Sequence, residues 1–127
     1  MIIEDQAAEA EFVGFYDMLK GFIEQDDHSL TIRQLAVLLT CYLLDEEHTV
    51  RRLAARFGTA KPAVSRMLDH LVDEGLIERR PDPHDRRSVL FGCTSEGKQF
   101  LERMLRANNR PRAVPAWRRN GPEHSGR

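Results

Sequence analysis

Two adjacent arginines, Arg86 and Arg87, lie in the stretch PDPHDRRSVLFGCTSEG, which runs from Pro81 to Gly97. The first half of this stretch carries two prolines, two aspartates and a histidine, and the second half is apolar and strand-like. Prolines stiffen a loop, and guanidinium groups bind phosphates and the negatively charged minor groove of DNA. The pattern therefore predicts an arginine pair that is projected on a rigid loop toward an anionic partner.

The other residue types that carry chemistry show no catalytic or metal-binding spacing. The five histidines are scattered, without a His-x-x-x-His motif or a Cys/His pair at ligand spacing. Neither a glycine-rich phosphate loop nor a Gly-x-Ser-x-Gly motif is present. Asp82 and His84 could contact a metal together, but two ligands on a loop rarely make a site. We predict a protein that is not an enzyme and that uses no metal and no cofactor.

The cysteines and the N-terminal sequence indicate in which cellular compartment the protein is located. Cys41 and Cys93 are far apart in the chain and form no Cys-x-x-Cys motif, so we expect two buried free thiols in a reducing environment, with a redox role for Cys93 as the alternative. The N-terminal stretch MIIEDQAAEAEF is acidic and lacks a basic-then-apolar signal sequence. No stretch reaches the roughly 20 apolar residues of a membrane span. We predict a cytoplasmic protein with no membrane partner.

The net charge of −1 conceals a strong asymmetry along the chain. Residues 1–48 hold eleven acidic and two basic residues, a net charge of −9, whereas residues 49–106 and 107–127 each carry +4. A basic second half predicts an anionic partner such as nucleic acid. A solvated basic face without a partner is the alternative.

Apolar spacing predicts two helices in the acidic part of the chain. The first, from Ala8, has an apolar face broader than one small subunit needs, so we predict that it contributes to a homodimer interface. The residues assigned to that interface are Phe12, Phe15, Leu19 and Phe22. The second helix is predicted to begin with a capping box formed by Thr31 and Gln34. Its sequence, LAVLLTCYLL, is apolar nearly all round, so we expect it to be central and buried.

The next two helices are predicted to form a helix-turn-helix. The first would begin at Thr49 and end at Gly58, and the second would be capped by Thr59 and end at Gly75. Pro62 falls in the first turn of the second helix, where its missing N–H costs nothing. The tight Gly-Thr connection between them supports this motif.

LIERR and SVLFGC are predicted to be short strands on either side of the Arg pair, with Val89, Phe91 and Cys93 on one half-buried face. A fifth helix is expected to begin at Thr94 or Ser95 and to join the first helix in the dimer. The fold class is therefore a winged helix-turn-helix, mainly α with a small β-hairpin, in which helices one, two and five surround the motif. We assign residues 1–109 to this domain and residues 110–127, rich in Pro and Arg, to a basic disordered tail.

The helical period of 100° per residue separates the two faces of the second motif helix. Its inner face is predicted to contain Val64, Met67, Leu68 and Leu71. The outer face would enter the major groove of double-stranded DNA through its N-terminal half. Arg66 is the candidate for guanine, Ser65 and Lys61 for bases or phosphate, and Ala63 or Pro62 for a thymine methyl group. Further candidates are His70 on the same face and, for phosphate, Arg51, Arg52 and Thr59.

The chain contains LTIRQLAVLL and a run from TVRRLAARFG to the wing GLIERRPDPHDRR, and a T-x-x-G motif follows from Thr94 to Gly97. Together these stretches resemble the MarR family of bacterial transcription regulators. The resemblance covers roughly residues 10–106. It implies a homodimer that binds a pseudo-palindromic operator, most often as a repressor, and that is often released by a small-molecule effector or by oxidation. By this resemblance Arg86 would enter the minor groove, Asp85 would orient the wing, and Arg87 would support it or contact phosphate.

Two departures from the family pattern leave an alternative open. Family members usually end in one or two long helices that interlock with the partner subunit, whereas the helical pattern here stops near Asn109. Cys93 stands where the family often has leucine. A winged helix that docks to another protein and does not bind DNA is therefore the second hypothesis, and the acidic N-terminal part suits it.

Overall fold

Five helices and one β-hairpin make up the computed structural model of this chain, which describes residues 6–108. The elements, in chain order, are α1 Gln6–Gln25, α2 Ile32–Leu43, α3 Val50–Phe57, α4 Lys61–Asp73, β1 Ile77–Pro81, β2 Val89–Cys93 and α5 Ser95–Asn108. Helices α3 and α4 form the helix-turn-helix, and the hairpin forms the wing. The winged helix-turn-helix prediction is confirmed. The predicted tail of residues 110–127 lies outside the described residues.

Side-chain caps begin helices α2 and α3 as the sequence predicts. Thr31 Oγ1 accepts the Gln34 N–H at 3.0 Å, and the Gln34 amide oxygen accepts the Thr31 N–H at 2.9 Å, which completes a capping box. Thr49 Oγ1 accepts the Arg52 N–H at 3.1 Å. Helix α3 ends at Gly58, whose φ of 59° places it in the left-handed region that favours glycine.

The predicted cap of α4 is wrong by one residue. Ala60, which has no side-chain cap, occupies the N-cap position, and its carbonyl accepts the Val64 N–H at 3.1 Å. Thr59 instead completes the end of α3: its N–H donates to the Ala54 carbonyl at 3.0 Å, and its hydroxyl donates to the Phe57 carbonyl at 3.1 Å. The left-handed Gly58 turns the chain so that Thr59 still faces the carbonyls of α3.

The wing is an antiparallel pair in which Ile77 lies opposite Cys93 and Pro81 opposite Val89. Phe91 is buried and Cys93 half-buried, but Val89 is 42% exposed, so the predicted half-buried face does not extend to the tip of the wing. The base of the wing is tied to the loop before α3, because the Phe91 N–H donates to the His48 carbonyl at 2.9 Å.

A single apolar cluster lies between the helices and the base of the wing. Its largest fully buried side chains are Phe100, Leu38, Leu53, Leu68, Leu71, Leu76, Ile77, Val37 and Val64. Phe22 also belongs to it, since its ring meets the edge of the Phe100 ring at 6.4 Å between centroids. The assignment of Phe22 to a dimer interface is therefore wrong, because α1 packs on α5 of its own subunit.

Helix α2 is central only over part of its length. Leu38 is fully buried, but the last turn exposes Tyr42, Leu43 and the following Leu44 by 41%, 66% and 38%. The expectation of a helix buried throughout is therefore wrong at its C-terminal end, which extends beyond the elements that cover its centre. Within residues 6–108, no helix combines the length and apolarity that a bilayer span requires.

The T-x-x-G segment joins α5 to the end of α4. Thr94 Oγ1 donates to the Gly75 carbonyl at 2.6 Å and accepts the Gly97 N–H at 2.9 Å, so it caps α5 and fastens it to the turn after α4. A Cβ on Gly97 would overlap the carbonyl oxygen of Leu76, whose close approach requires glycine here. The segment therefore fixes where the wing leaves the helical body.

Candidate nucleic-acid interface

A cleft of about 770 Å³ separates helix α4 from the wing. Helix α4 contributes Lys61, Ser65 and Asp69 to its lining, and the hairpin contributes Arg79, Asp85 and Arg87. The first turn of α3 adds Arg51 and Arg52. The fold thus gathers six of the residues predicted from the sequence to contact DNA. These are Arg51, Arg52, Lys61, Ser65, Asp85 and Arg87.

The inner and outer faces of α4 agree with its helical period. Val64, Leu68 and Leu71 are completely buried, and Met67 packs against the same core. The side chain of Arg66 is exposed, and Ser65 is half-buried. Because three buried anchors fix the rotation of the helix, its N-terminal half presents polar side chains to the solvent in one fixed orientation.

Not every predicted residue of α4 faces outward. His70 is half-buried, and its Nε2 lies 3.1 Å from the carbonyl oxygen of His28, in the loop between α1 and α2. The expectation that His70 points away from the body is therefore wrong, because this loop covers the last turn of α4. The exposed Lys61 and Pro62 and the half-buried Thr59 and Ala63 lie at or before the first turn, away from the loop.

Two carboxylates fold the tip of the wing. Asp85 Oδ1 accepts the Arg87 N–H at 3.0 Å, and its backbone carbonyl accepts the Ser88 N–H at 3.0 Å. Asp82 Oδ1 accepts the His84 N–H at 2.9 Å. With the backbone held in this way, the side chains of Arg86 and Arg87 remain exposed. Arg86 does not line the cleft with Arg87.

The structure adds a residue that the sequence interpretation missed. Arg79 of β1 reaches across the cleft and pairs with Asp69 of α4. The alternation of side chains along a strand could have revealed this residue, because it places Arg79 on the same face as the buried Ile77, toward α4. Arg80, on the opposite face, pairs with Glu78 at 2.7 Å.

Two arginines at opposite ends of α3, Arg52 and Arg56, differ in their contacts. The Arg52 guanidinium donates to the carbonyl of Glu47 at 3.1 Å, so it is held beside the helix N-terminus. Arg56, in the last turn, donates to Glu46 at 2.8 Å and holds the pKa of that carboxyl below its usual value. Arg56 is thereby engaged by the acidic loop before α3.

The two free thiols are shielded to different degrees, since Cys41 is buried and Cys93 is half-buried. Burial raises the pKa of Cys41 to about 12 and also raises the pKa of Cys93 above its ordinary value. Since the thiolate is the reactive form, both side chains are poor nucleophiles near neutral pH. Among residues 6–108, no group of three His, Cys, Asp or Glu side chains could hold a metal ion.

Comparisons with known proteins agree with this geometry. Residues 30–89 match the model of the MarR family. The chain is 36% identical over 75 residues to the HTH-type transcriptional regulator PetP of Rhodobacter capsulatus, covering 59% of this chain and 45% of that protein. It is 27% identical over 100 residues to the HTH-type transcriptional repressor YetL of Bacillus subtilis, covering 74% and 60%. The chain thus spans about half the length of these relatives.

Solved structures share the same architecture. A mutant MarR from E. coli, complexed with operator DNA, superimposes with a TM-score of 0.61 at 25% identity, covering 80% of this chain and 73% of that one. The helix-turn-helix and the first strand of the wing fall within the family match over residues 30–89, which ends at the first residue of β2.

Proposed function

We propose that this chain is a MarR-family transcription regulator that represses transcription by binding a pseudo-palindromic operator as a homodimer. The match of residues 30–89 to the model of that family, and the likeness to a MarR structure complexed with operator DNA, support this proposal. Helix α4 would enter the major groove of double-stranded DNA, and the wing would enter the adjacent minor groove. Its relatives carry the names of transcriptional regulators and repressors, not of enzymes.

The observation that carries the proposal is the charge of the cleft between α4 and the wing. Five cationic side chains line it: Arg51, Arg52, Lys61, Arg79 and Arg87. Its two carboxylates are already engaged, because Asp69 pairs with Arg79 and Asp85 accepts the Arg87 N–H. A groove with an excess of cations and internally paired anions suits the phosphate backbone of DNA.

Individual roles follow from position on the two elements. Lys61, Pro62, Ala63, Ser65 and Arg66 would meet base edges or phosphates in the major groove, with Arg66 bidentate on guanine. Thr59, Arg51 and Arg52 would contact phosphates beside the helix. Arg86, free at the tip of the wing, would enter the minor groove. His70 is not part of the proposed interface, because its ring is turned to the His28 carbonyl.

The homodimer is proposed from the apolar face that α1 leaves uncovered. Phe12 and Phe15 are 72% and 58% exposed, and Leu19 is half-buried beside them. An apolar surface of this kind is typical of a protein–protein interface. A two-fold dimer would present two copies of α4 to two half-sites, one helical turn of DNA apart. We also propose that a small-molecule effector regulates binding.

Fluorescence anisotropy with labelled DNA from the region flanking its own gene tests this function. We expect saturable binding that unlabelled flanking DNA abolishes more effectively than an equal mass of random-sequence DNA. Arg51→Ala should weaken binding and lower the salt slope by about one unit per subunit. Arg33→Ala, an exposed arginine on α2 outside the cleft, is the matched control and should change neither.

Two results would contradict the proposal. Binding with equal affinity to any DNA would contradict recognition of a specific operator. No binding to any fragment would favour a winged helix that docks to another protein. The dimer is tested separately by sedimentation, because Phe15→Asp should yield a monomer with reduced operator affinity. A wild-type protein that stays monomeric at micromolar concentration with full affinity would exclude the dimer.

A further inference from the structure

An apolar groove of about 310 Å³ lies among α1, α2 and α5. We call it the α1–α2–α5 groove. Apolar side chains from all three helices line it, among them Met18, Leu39, Leu43, Leu101, Met104 and Leu105. Met18, Leu43 and Leu105 are 52%, 66% and 59% exposed. A continuous apolar surface of this kind marks a binding surface that needs an occupant.

The charges around the groove restrict what can occupy it. Glu102 is the one charged side chain among the lining residues. The groove therefore suits an apolar or aromatic segment, and Glu102 can pair with a basic residue beside that segment.

The chain itself contains such a segment beyond the end of α5. Residues 113–117 read AVPAW, with Arg110 and Arg112 before them and Arg118 and Arg119 after them. We propose that this segment docks in the α1–α2–α5 groove of its own subunit, with Trp117 in the apolar part and a flanking arginine beside Glu102. This interaction involves none of the residues that line the cleft between α4 and the wing.

The chain is long enough for this contact. Helix α5 ends at Asn108, and Leu105, one turn earlier, already lines the groove. Eight residues lie between Asn108 and Trp117, and the nine steps of chain from one to the other span at most about 30 Å when extended. The lining residues of α5 lie within about 10 Å of its end, since the helix rises 1.5 Å per residue. Trp117 can therefore fold back over the groove with chain to spare.

Two features favour this segment over a separate partner. A short covalent link gives the segment an effective concentration in the millimolar range, which an independent apolar ligand does not reach. Pro111 and Pro115 restrict the backbone of the linker and the segment, so less conformational entropy is lost on docking. The net charge of +4 on residues 107–127 also opposes the −9 of residues 1–48.

Trp117 provides a direct test because it is the chain's single tryptophan. We expect the emission of the full-length protein to be blue-shifted relative to N-acetyltryptophanamide and its quenching by acrylamide to be several-fold weaker. Both signals should revert to those of the free indole in Leu43→Asp and in Leu105→Asp, which place a charge at exposed positions of the groove without opening the core.

Ile32→Asp is the matched control, because Ile32 lies on the same helix, is 59% exposed and does not line the groove. It should leave the emission unchanged. Circular dichroism and sedimentation on the same samples establish that the variants are folded and record their oligomeric state. Wild-type emission should not change on dilution from micromolar to nanomolar concentration.

Three outcomes would overturn the proposal. Emission and quenching like those of the free indole in the wild type would show that Trp117 is undocked. If Trp117 is protected and its emission and quenching do not change in Leu43→Asp and Leu105→Asp, then it docks outside the groove. Protection that is lost on dilution together with a dimer would assign the groove to the segment of a second copy.

Discussion

The two halves of this molecule bury apolar surface and carry charge in opposite ways. The helical half, formed by α1, α2 and α5, begins with the acidic part of the chain and leaves large apolar side chains such as Phe12 and Ile23 more than two-thirds exposed. The basic half, formed by α3, α4 and the wing, encloses Val64, Leu68 and Leu71 completely and exposes arginines instead.

The difference shows that each half is suited to a different kind of partner. Apolar surface associates with protein or with apolar ligands, and this attraction is little affected by moderate salt. Clustered guanidinium groups associate with polyanions by releasing counterions, and this attraction weakens steeply with salt. Measurements that separate apolar from ionic contributions should therefore separate the two halves.

The largest expected effect is the salt dependence of operator binding. If about six to ten phosphates are neutralised by the dimer, raising salt from 50 to 200 mM should weaken binding about 10³–10⁵-fold. Anisotropy titrations across that range measure the slope. Over the same range, the dimer dissociation constant from sedimentation should change little, and equal salt slopes for both would break the contrast between the halves.

A large effect on folding is expected from a buried phenylalanine of the helical half. Phe100 is fully buried and meets the rings of Phe22 and His28, so Phe100→Ala should lower the free energy of unfolding by about 3–5 kcal/mol. Phe12→Ala, at a 72% exposed position, should cost less than about 0.5 kcal/mol in dilute protein. Urea unfolding followed by circular dichroism measures both.

The Phe12 result also bears on the proposed interface. If Phe12 lies in a dimer contact, the cost of Phe12→Ala should grow as the protein concentration rises, because dimerisation stabilises the wild type by mass action. A cost that is the same at all concentrations would remove Phe12 from that interface.

Within the basic half, a smaller effect should distinguish α4 from the wing. Arg66→Ala should relax preference at one base pair in each half-site, worth about 1–3 kcal/mol of discrimination. Arg86→Ala should weaken binding more broadly, most for operators with A/T-rich flanks, because the minor groove distinguishes little beyond A·T from G·C. Selection from a randomised operator library measures both effects. Identical base preferences in the two variants would show that the wing contributes only non-specific charge.

A modest effect on folding is expected at the turn between α3 and α4. Gly58→Ala meets no neighbouring atom but must adopt a φ of 59°, which costs about 1–2 kcal/mol. Gly97→Ala, where the halves meet, should cost more than Gly58→Ala because its Cβ would overlap the Leu76 carbonyl. Thermal unfolding compares the two variants, and equal losses would show that the Gly97 contact relaxes freely.

Local signals in the sequence predict most of the fold. Three helix ends depend only on residues a few positions apart: the Thr31–Gln34 capping box, the Thr49 cap and the Gly58 stop. The spacing of these residues in the sequence was therefore enough to predict them. The buried face of α4 follows from helical period in the same way. The order of these elements, with the arginine pair between two strands, then predicts the winged helix and the cationic residues of the cleft other than Arg79.

The predictions that failed depend on neighbours distant in sequence. His70 lies on the expected face of α4, but the α1–α2 loop covers it, and Phe22 continues the apolar line of α1, but α5 covers it. Thr59 has the residue type of a cap, and the left-handed turn at Gly58 directs it to α3 instead. Residue type and period cannot reveal which surfaces meet.

The sequence alone determined the helices, the caps of α2 and α3, the wing and the charge of each half, because hydrogen bonding and periodicity act over a few residues. Only the tertiary structure decided that Arg79 crosses to Asp69, that Gly97 admits the Leu76 carbonyl, and that α1, α2 and α5 leave an apolar groove. These features arise where elements far apart in the chain pack together, and the shape of that packing depends on all of them at once.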